Sequence, residues 1–343
     1  MRLHLMGRHA HRIPLAYPAY RALAKGIEFV SVPAEADFIV FGFVIDVAAQ
    51  ADAIAEALRR NPGISLVVLS EEPLWDTMWT PDYRNRHQHV VIGERKVAVH
   101  LLNHFTTRIF DFDRFPYFVT TDDRYFARYQ ALFSRNAARS EQEWLSHWAK
   151  ASVSAAFVAE RRLDRSFSFE LPALDTWGLC EYRTRVAAAV TAPDALRIGQ
   201  GWDGTNERRQ ALPDWHLDKL ATLDGRARFV SSLENTHQPA YLTEKLFDAY
   251  AVQGIPLYYA SPKHRVNSIV PKGSFFNLFG QTPEDAAIAL QSPHRDRVLA
   301  TAYREAQLAL QRLFTKADLY IEERARLIAA IAAELRHIQT QGR

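Results

Sequence analysis

The stretch RFVSSLENTHQPAYLTEKLFDAYAVQGIPLYY, Arg228–Tyr259, decides the fold. Its opening, Arg228–Leu233, reads as a short strand, and Glu234-Asn235-Thr236-His237 follow at the strand's carboxyl end. Pro239 stops an early helix, and Thr243 is placed to cap a helix whose buried stripe is Leu246, Phe247 and Tyr250. Gly254 is expected to supply the left-handed residue that ends this helix. Ile255–Tyr259 then returns as an apolar strand. The helix's first turn holds Thr243, Glu244 and Lys245. Free N–H groups and a partial positive charge at a helix start favour phosphate, and Lys245 adds a full charge. A carboxylate would repel phosphate, so Glu244 suits sugar or ribose hydroxyls instead, and Asn235 can bond to hydroxyls as well. The plainer reading is that Glu244 compensates the helix dipole and Lys245 is a solvated charge. The residue types alone leave both open.

The same alternation runs through the chain. Arg2–Met6, Ile27–Val32, Asp37–Phe43 and Ser65–Leu69 have strand character, and the helical stripe Ile54, Ala55, Leu58 within Ala48–Arg60 ends at Asn61-Pro62-Gly63. Trp75–Tyr129 is aromatic-rich and irregular, with helical pattern near 124–133 and 141–148. A second β/α series follows: strands at 154–158, 196–198 and 228–233, a helix at 182–190, and three helices from Pro283 onward. Two such halves predict an α/β protein of two doubly wound, Rossmann-like domains, 1–150 and 151–343, facing each other across a cleft. The last helix, with Leu327, Ile328, Ile331, Leu335 and Ile338 at helical spacing, must pack, on its own domain or back on the first.

Composition narrows the class. Of 343 residues, 48% are hydrophobic and 24% charged, which places the chain among globular proteins. The net charge of +3 is spread along the chain, so no nucleic-acid footprint is expected. Cys180 is the single cysteine and cannot form an intrachain disulfide or supply a multi-cysteine metal site. The 13 histidines lack paired metal spacing. Arg8, His9, His11 and Arg12 interrupt the first residues, and no run of about 18 apolar residues occurs, so neither signal peptide nor membrane span is expected.

The run ENTHQPAYLTEKLFDAYAVQGIPLYYASP, continuing to VPKGSFFNL, resembles the signature of glycosyltransferase family 10, the α-1,3/4-fucosyltransferases. The resemblance implies a GT-B fold, a GDP-fucose donor bound mainly by the C-terminal domain, and inverting, metal-independent transfer of L-fucose to a galactose- or N-acetylglucosamine-containing glycan. By position, Lys245 is similar to the lysine that holds the donor diphosphate, and Glu244 to the glutamate that reads donor hydroxyls. Asn235 and Tyr241 fall on donor-pocket positions. Arg183, in EYRTRVAAAV, is similar to a phosphate-binding arginine, with Arg185 its rival. The alternatives are a GT-B enzyme using another GDP- or UDP-sugar, or a non-catalytic carbohydrate- or nucleotide-binding relative. A bacterial cytoplasmic enzyme is expected; peripheral membrane contact and oligomeric state stay open.

Inverting transfer needs a base for the acceptor hydroxyl. Glu71-Glu72-Pro73 leaves the carboxyl end of the Ser65–Leu69 strand, where a carboxylate points into the expected cleft. SEEPLW resembles the family's catalytic element, with Glu71 at the catalytic position and Glu72, one residue on, its rival as base; Glu72 and Trp75 are also the acceptor-side candidates. Trp75, Trp79 and Tyr83 are stacking candidates for an acceptor sugar, or packing residues. Asp111-Phe112-Asp113 is a D-x-D, but its aromatic flanks fit the fucosyltransferase-like stretch better than a metal site. Gly199-Gln200-Gly201-Trp202-Asp203-Gly204 lacks phosphate-loop spacing and reads as a tight turn.

Overall fold

The computed structural model describes residues 1–76, 82–202, 211–291 and 296–341. Trp79, Asp203 and Gly204 lie outside them. The chain divides into two compact units, Met1–Asp123 with Asp318–Arg343, and Arg124–Ala317.

Unit 1 is built on β1 (Arg2–Met6), β2 (Glu28–Phe29), β3 (Phe38–Phe41), β4 (Ser65–Leu69), β5 (His87–Ile92) and β6 (Arg95–Leu102), with α1 (Pro18–Arg21), α2 (Val44–Ala49) and α3 (Ala51–Arg60) between strands. The sheet order is β2-β1-β3-β4-β6-β5, parallel except for the β5–β6 pair. Strand side chains alternate between faces, and both faces here are apolar. Ile39, Phe41, Leu66, Val68, Val99 and Leu101 pack with Ile54 and Ala57 of α3. Phe38, Val40, Val67, Leu69 and Leu102 turn the other way, onto Leu327, Ile328, Ile331, Leu335 and Ile338 of the final helix. The expected stripe of that helix is therefore one wall of the first unit's core.

The β5–β6 hairpin falls inside the region expected to be irregular. Its two-residue turn, Gly93-Glu94, has Gly93 at φ +61°, the left-handed value such turns need at their first position.

Unit 2 contains α4 (Asp123–Ala137), α5 (Glu141–Ala149), β7 (Val153–Val158), β8 (Glu170–Leu171), β9 (Thr176–Gly178), α6 (Cys180–Ala189), β10 (Leu196–Ile198), α7 (Trp215–Leu223), β11 (Ala227–Ser231), β12 (Thr236–His237), α8 (Glu244–Ala251), β13 (Ile255–Tyr258), α9 (Val266–Ile269), β14 (Phe276–Asn277), α10 (Pro283–Gln291) and α11 (Asp296–Leu313); α12 (Ala317–Gln341) returns to unit 1. Its main sheet, β10-β7-β11-β13-β14, is wholly parallel, and β12-β9-β8 form a small antiparallel sheet. The mixed α/β class with parallel sheets is as expected. The division falls at 123/124 where the sequence reading placed it at 150. The reason is packing: Trp144 of α5 meets Tyr303 of α11 at 4.9 Å, and Tyr129 of α4 meets Phe247 of α8 at 5.7 Å.

The strand–helix–strand expected over Arg228–Tyr259 is present: β11 and β13 are parallel neighbours with Phe229 opposite Ile255. Its helix end differs from expectation. Gln253, not Gly254, takes the left-handed conformation, at φ +69°. Gln253 N–H donates to Tyr250 and Gly254 N–H to Ala249, the paired bonds of a Schellman end. Glycine is required at 254 for space: a Cβ there would stand 2.4 Å from Val230 Cγ2. Among the described residues, no helix is long and apolar enough to cross a membrane.

Ile331 is 0% exposed, whereas Val298 is 71% exposed. Ile331→Ala is expected to lower stability by about 2–5 kcal/mol in a urea titration, with Val298→Ala within about 0.5 kcal/mol of wild type. An Ile331→Ala loss no larger than the control's would remove α12 from the core.

Candidate functional site

The start of α8 is organised by one carboxylate that sequence reading left without a role. Glu234, just past β11 and 3% exposed, accepts the Thr243 backbone N–H at 2.8 Å and the Thr243 hydroxyl at 2.8–2.9 Å. Thr243 is the N-cap, as expected, and its oxygen accepts from the Lys245 N–H at 3.5 Å. The Lys245 ammonium lies 2.9 Å from Thr243 Oγ1, 3.1 Å from Glu234 Oε2 and 3.4 Å from Glu244 Oε1. Burial works to lower the Lys245 pKa, but the Glu234 and Glu244 carboxylates outweigh it and raise the value above the ordinary range. Lys245 is thus a fixed cation with about a quarter of its side chain exposed (24%). Glu244 is buried, and its Oε2 has no hydrogen-bond partner among the described residues. That is a free acceptor, as a hydroxyl-reading role requires.

The Asn235 loop ties this turn to α6. The Asn235 carbonyl accepts the Leu179 N–H at 2.8 Å and lies 3.7 Å from Cys180 Sγ. Arg183, in the first half of α6, therefore comes within electrostatic reach of Lys245. Its Nε is buried and unpartnered among the described residues. Arg185 differs: its guanidinium is half exposed and paired with Glu181 one turn back, at 2.7 Å. Two like charges near each other, with no ion pair to Arg183 among the described residues, are an arrangement that favours an anion. Tyr241 is half-buried, and its carbonyl accepts from His264 Nε2 at 3.1 Å. Asn235, Arg183, Glu244 and Lys245 are thus brought together around one loop.

Beyond the carboxyl ends of β13 and β14 lies a recess of about 260 Å³ lined by Ser261, Asn267, Lys272 and Asn277. A second, about 160 Å³, lies between Trp177, Tyr182, Tyr259 and the Glu181–Arg185 pair. Neither is lined by Lys245 or Arg183.

In unit 1, Glu71 and Glu72 are both 6% exposed at the end of β4. Arg12, a residue the sequence reading did not single out, holds both: its guanidinium contacts Glu71 and lies 2.9 Å from Glu72. Burial pushes the Glu71 carboxyl up to about 7, against the downward pull of Arg12 and with a further push from Glu72. His104 Nε2 donates to the Glu71 carbonyl at 3.0 Å, and its ring stacks on Phe110 at 4.7 Å. Trp75 is half-buried, and Tyr83 packs edge-on against Phe105 at 5.1 Å.

A buried network secures α8 from below. Asp248, 1% exposed, accepts from Lys219 Nζ, His216 Nε2 and the Tyr129 hydroxyl, each at 2.7 Å. Arg128 donates to His216 Nδ1 at 3.0 Å, so His216 carries its proton on Nε2.

Residues 202–304 match the family described as glycosyltransferase family 10 (fucosyltransferase), C-terminal part. A comparison with the curated proteins finds no match. Among solved structures, an alpha1,3-fucosyltransferase with GDP-fucose is 14% identical, covering 94% of this chain and 90% of that one, with a TM-score of 0.46. An alpha1,3-fucosyltransferase structure without a named ligand gives the same identity and coverage and a TM-score of 0.47. An alpha,alpha-trehalose-phosphate synthase (UDP-forming) from Burkholderia vietnamiensis is 12% identical, covering 94% and 83%, with a TM-score of 0.37. At these identities and scores the likenesses carry no argument of their own, and the family resemblance rests on residues 202–304.

Burial works to raise the Asp248 pKa, but Lys219 and His216 hold it well below the usual range. A carboxyl depressed in the folded state contributes stability above the unfolded value of about 4, which is lost as the pH falls below it. Asp248→Asn is expected to cost about 3–5 kcal/mol at pH 7, because Lys219 is left buried and unpaired. In pH-dependent urea titrations the variant's deficit should shrink below about pH 4. A deficit that stays constant with pH would discount the ion pair.

Proposed function

We propose that this chain, whose residues 202–304 carry the family 10 match, is an inverting α-1,3-fucosyltransferase. It moves L-fucose from GDP-fucose to a hydroxyl of a galactose- or N-acetylglucosamine-containing glycan. The observation that carries the reading is the fixed Lys245 ammonium at the start of α8, inside the matched segment, within electrostatic reach of Arg183, whose Nε has no hydrogen-bond partner among the described residues.

In this reading unit 2 holds the donor. Lys245 and Arg183 meet the diphosphate, and the α8 N-terminus adds N–H groups. The free Glu244 oxygen, Asn235 and Tyr241 take nucleotide and fucose hydroxyls. As the acceptor oxygen bonds to the anomeric carbon, the bond from that carbon to the β-phosphate oxygen breaks, and its electron pair leaves with GDP. The two cations stabilise that charge, so the step asks for no metal. Glu71 of unit 1 takes the acceptor proton. A carboxyl near 7 matches a base working at neutral pH. Attack from the face opposite a β-linked leaving group gives an α-linkage.

Turnover of labelled GDP-fucose against a glycan panel tests the reading; failure to transfer to any galactose- or N-acetylglucosamine-containing glycan overturns it. Glu71→Gln is expected to keep GDP affinity within a few-fold and to lower kcat by roughly 10²–10⁴. Wild-type kcat would sink the base assignment. Glu71 must be deprotonated to act, so kcat/KM should rise with pH on an acid limb near 7. Lys245→Ala should weaken GDP binding by calorimetry at least about tenfold, as loss of a charge-assisted contact of roughly 1.5–3 kcal/mol implies. Unchanged affinity would defeat the diphosphate role.

A further inference from the structure

Unit 1 holds an ordered imidazole that the reaction above does not use. After β1 the chain turns at Gly7 and brings His9 onto Asp46, in the first turn of α2. Asp46 is 2% exposed. Its Oδ2 accepts the His9 backbone N–H at 2.9 Å, and its Oδ1 faces His9 Nδ1 at 2.9 Å. A carboxylate oxygen accepts, so the ring sits in the tautomer with its proton on Nδ1, which leaves the lone pair on Nε2. Nε2 has no hydrogen-bond partner among the described residues, and 26% of the side chain is exposed.

The arrangement is held on every other side. The imidazole stacks on Phe43 at 4.3 Å and 14°. Gly7 sits at φ +98°, and a Cβ there would stand 2.6 Å from Asp46 Cβ and Cγ. A Cβ on Gly42 would stand 2.3 Å from the His9 carbonyl oxygen. Both glycines let backbone approach the His9–Asp46 pair where any side chain would push it apart. The Phe43 ring also carries the Arg12 guanidinium, 5.0 Å from its centroid, and Arg12 holds Glu71 and Glu72. Asp76, in the loop that follows, accepts the Val44 N–H at 2.7 Å. The free imidazole nitrogen and the proposed base are thus linked through one aromatic ring.

We propose that His9 binds the acceptor saccharide: its Nε2 accepts a hydrogen bond from an acceptor hydroxyl, and Asp46 is the positioning residue that sets the tautomer and the ring's direction. A bare nitrogen lone pair selects an O–H donor. The Asp46 carboxylate in contact with the ring disfavours an anionic ligand, which suits a neutral sugar. No bond is made or broken at His9; proton removal stays with Glu71. The inference rests on the glycosyl transfer proposed above.

The test separates acceptor binding from donor chemistry. His9→Phe keeps an aromatic ring against Phe43 and removes the acceptor nitrogen; His9→Gln restores an acceptor atom. For wild type and both variants, acceptor KM and kcat are measured with GDP-fucose saturating, alongside GDP-fucose hydrolysis without acceptor. His9→Phe should raise acceptor KM about 3- to 10-fold, the worth of one hydrogen bond, and leave donor hydrolysis within twofold. His9→Gln should recover part of the KM. If circular dichroism shows His9→Phe unfolded, His9→Ala takes its place and is read the same way. Acceptor KM and kcat at wild-type values in a folded variant overturn the inference alone. Equal losses in donor hydrolysis and acceptor use also overturn it, since they report general damage. A wild type that neither hydrolyses nor transfers from GDP-fucose overturns the functional reading and the inference with it.

Discussion

The Glu234 carboxylate is the constraint on which the C-terminal site depends. It takes the backbone N–H and the hydroxyl proton of Thr243, so the threonine's remaining lone pairs face Lys245. One buried acceptor therefore fixes where α8 begins, how its cap is turned and where its lysine points. One turn further on, Asp248 repeats the device from the opposite side through Lys219 and His216. Buried ion pairs seldom add stability over apolar packing. Here they fix the position and rotation of a helix, and a charged side chain at its first turn inherits that accuracy.

The first unit uses the same means with the charges reversed. Two buried carboxylates share one guanidinium. Burial alone would keep a carboxyl protonated, whereas Arg12 alone would make it a weak base. The balance leaves Glu71 near neutrality. The cation that tempers the base comes from the loop after β1, which also carries His9, so the two polar features of this sheet edge share one stretch of backbone.

Sequence reading recovered what is local. The alternation of strands and helices, the Thr243 cap and the gathering of Asn235, Glu244 and Lys245 follow from periodicity and turn chemistry. The pairing of Arg185 was also locally legible, since Glu181 stands at the i,i+4 position that occupies it. What it missed is set by distant partners. Nothing near Glu71 in the chain announces Arg12. Gly254 was assigned a backbone role because glycine after a helix usually has one, yet it is Val230, on the neighbouring strand, that demands it. The β5–β6 hairpin was masked by the aromatic residues around it, although Gly93-Glu94 between Val90-Val91-Ile92 and Val97 carries the turn pattern.

The return of α12 to the first sheet has a bearing on how the molecule comes into being. A ribosome delivers β1 to β6 early, but the helix that covers Phe38, Val40 and Val67 arrives only after all of unit 2. Unit 2 is contiguous in sequence and can complete its core as it emerges. The nascent first unit has Tyr20, Ile109 and Phe110 on that sheet face but must wait for the Leu327, Ile331 and Leu335 wall of its core.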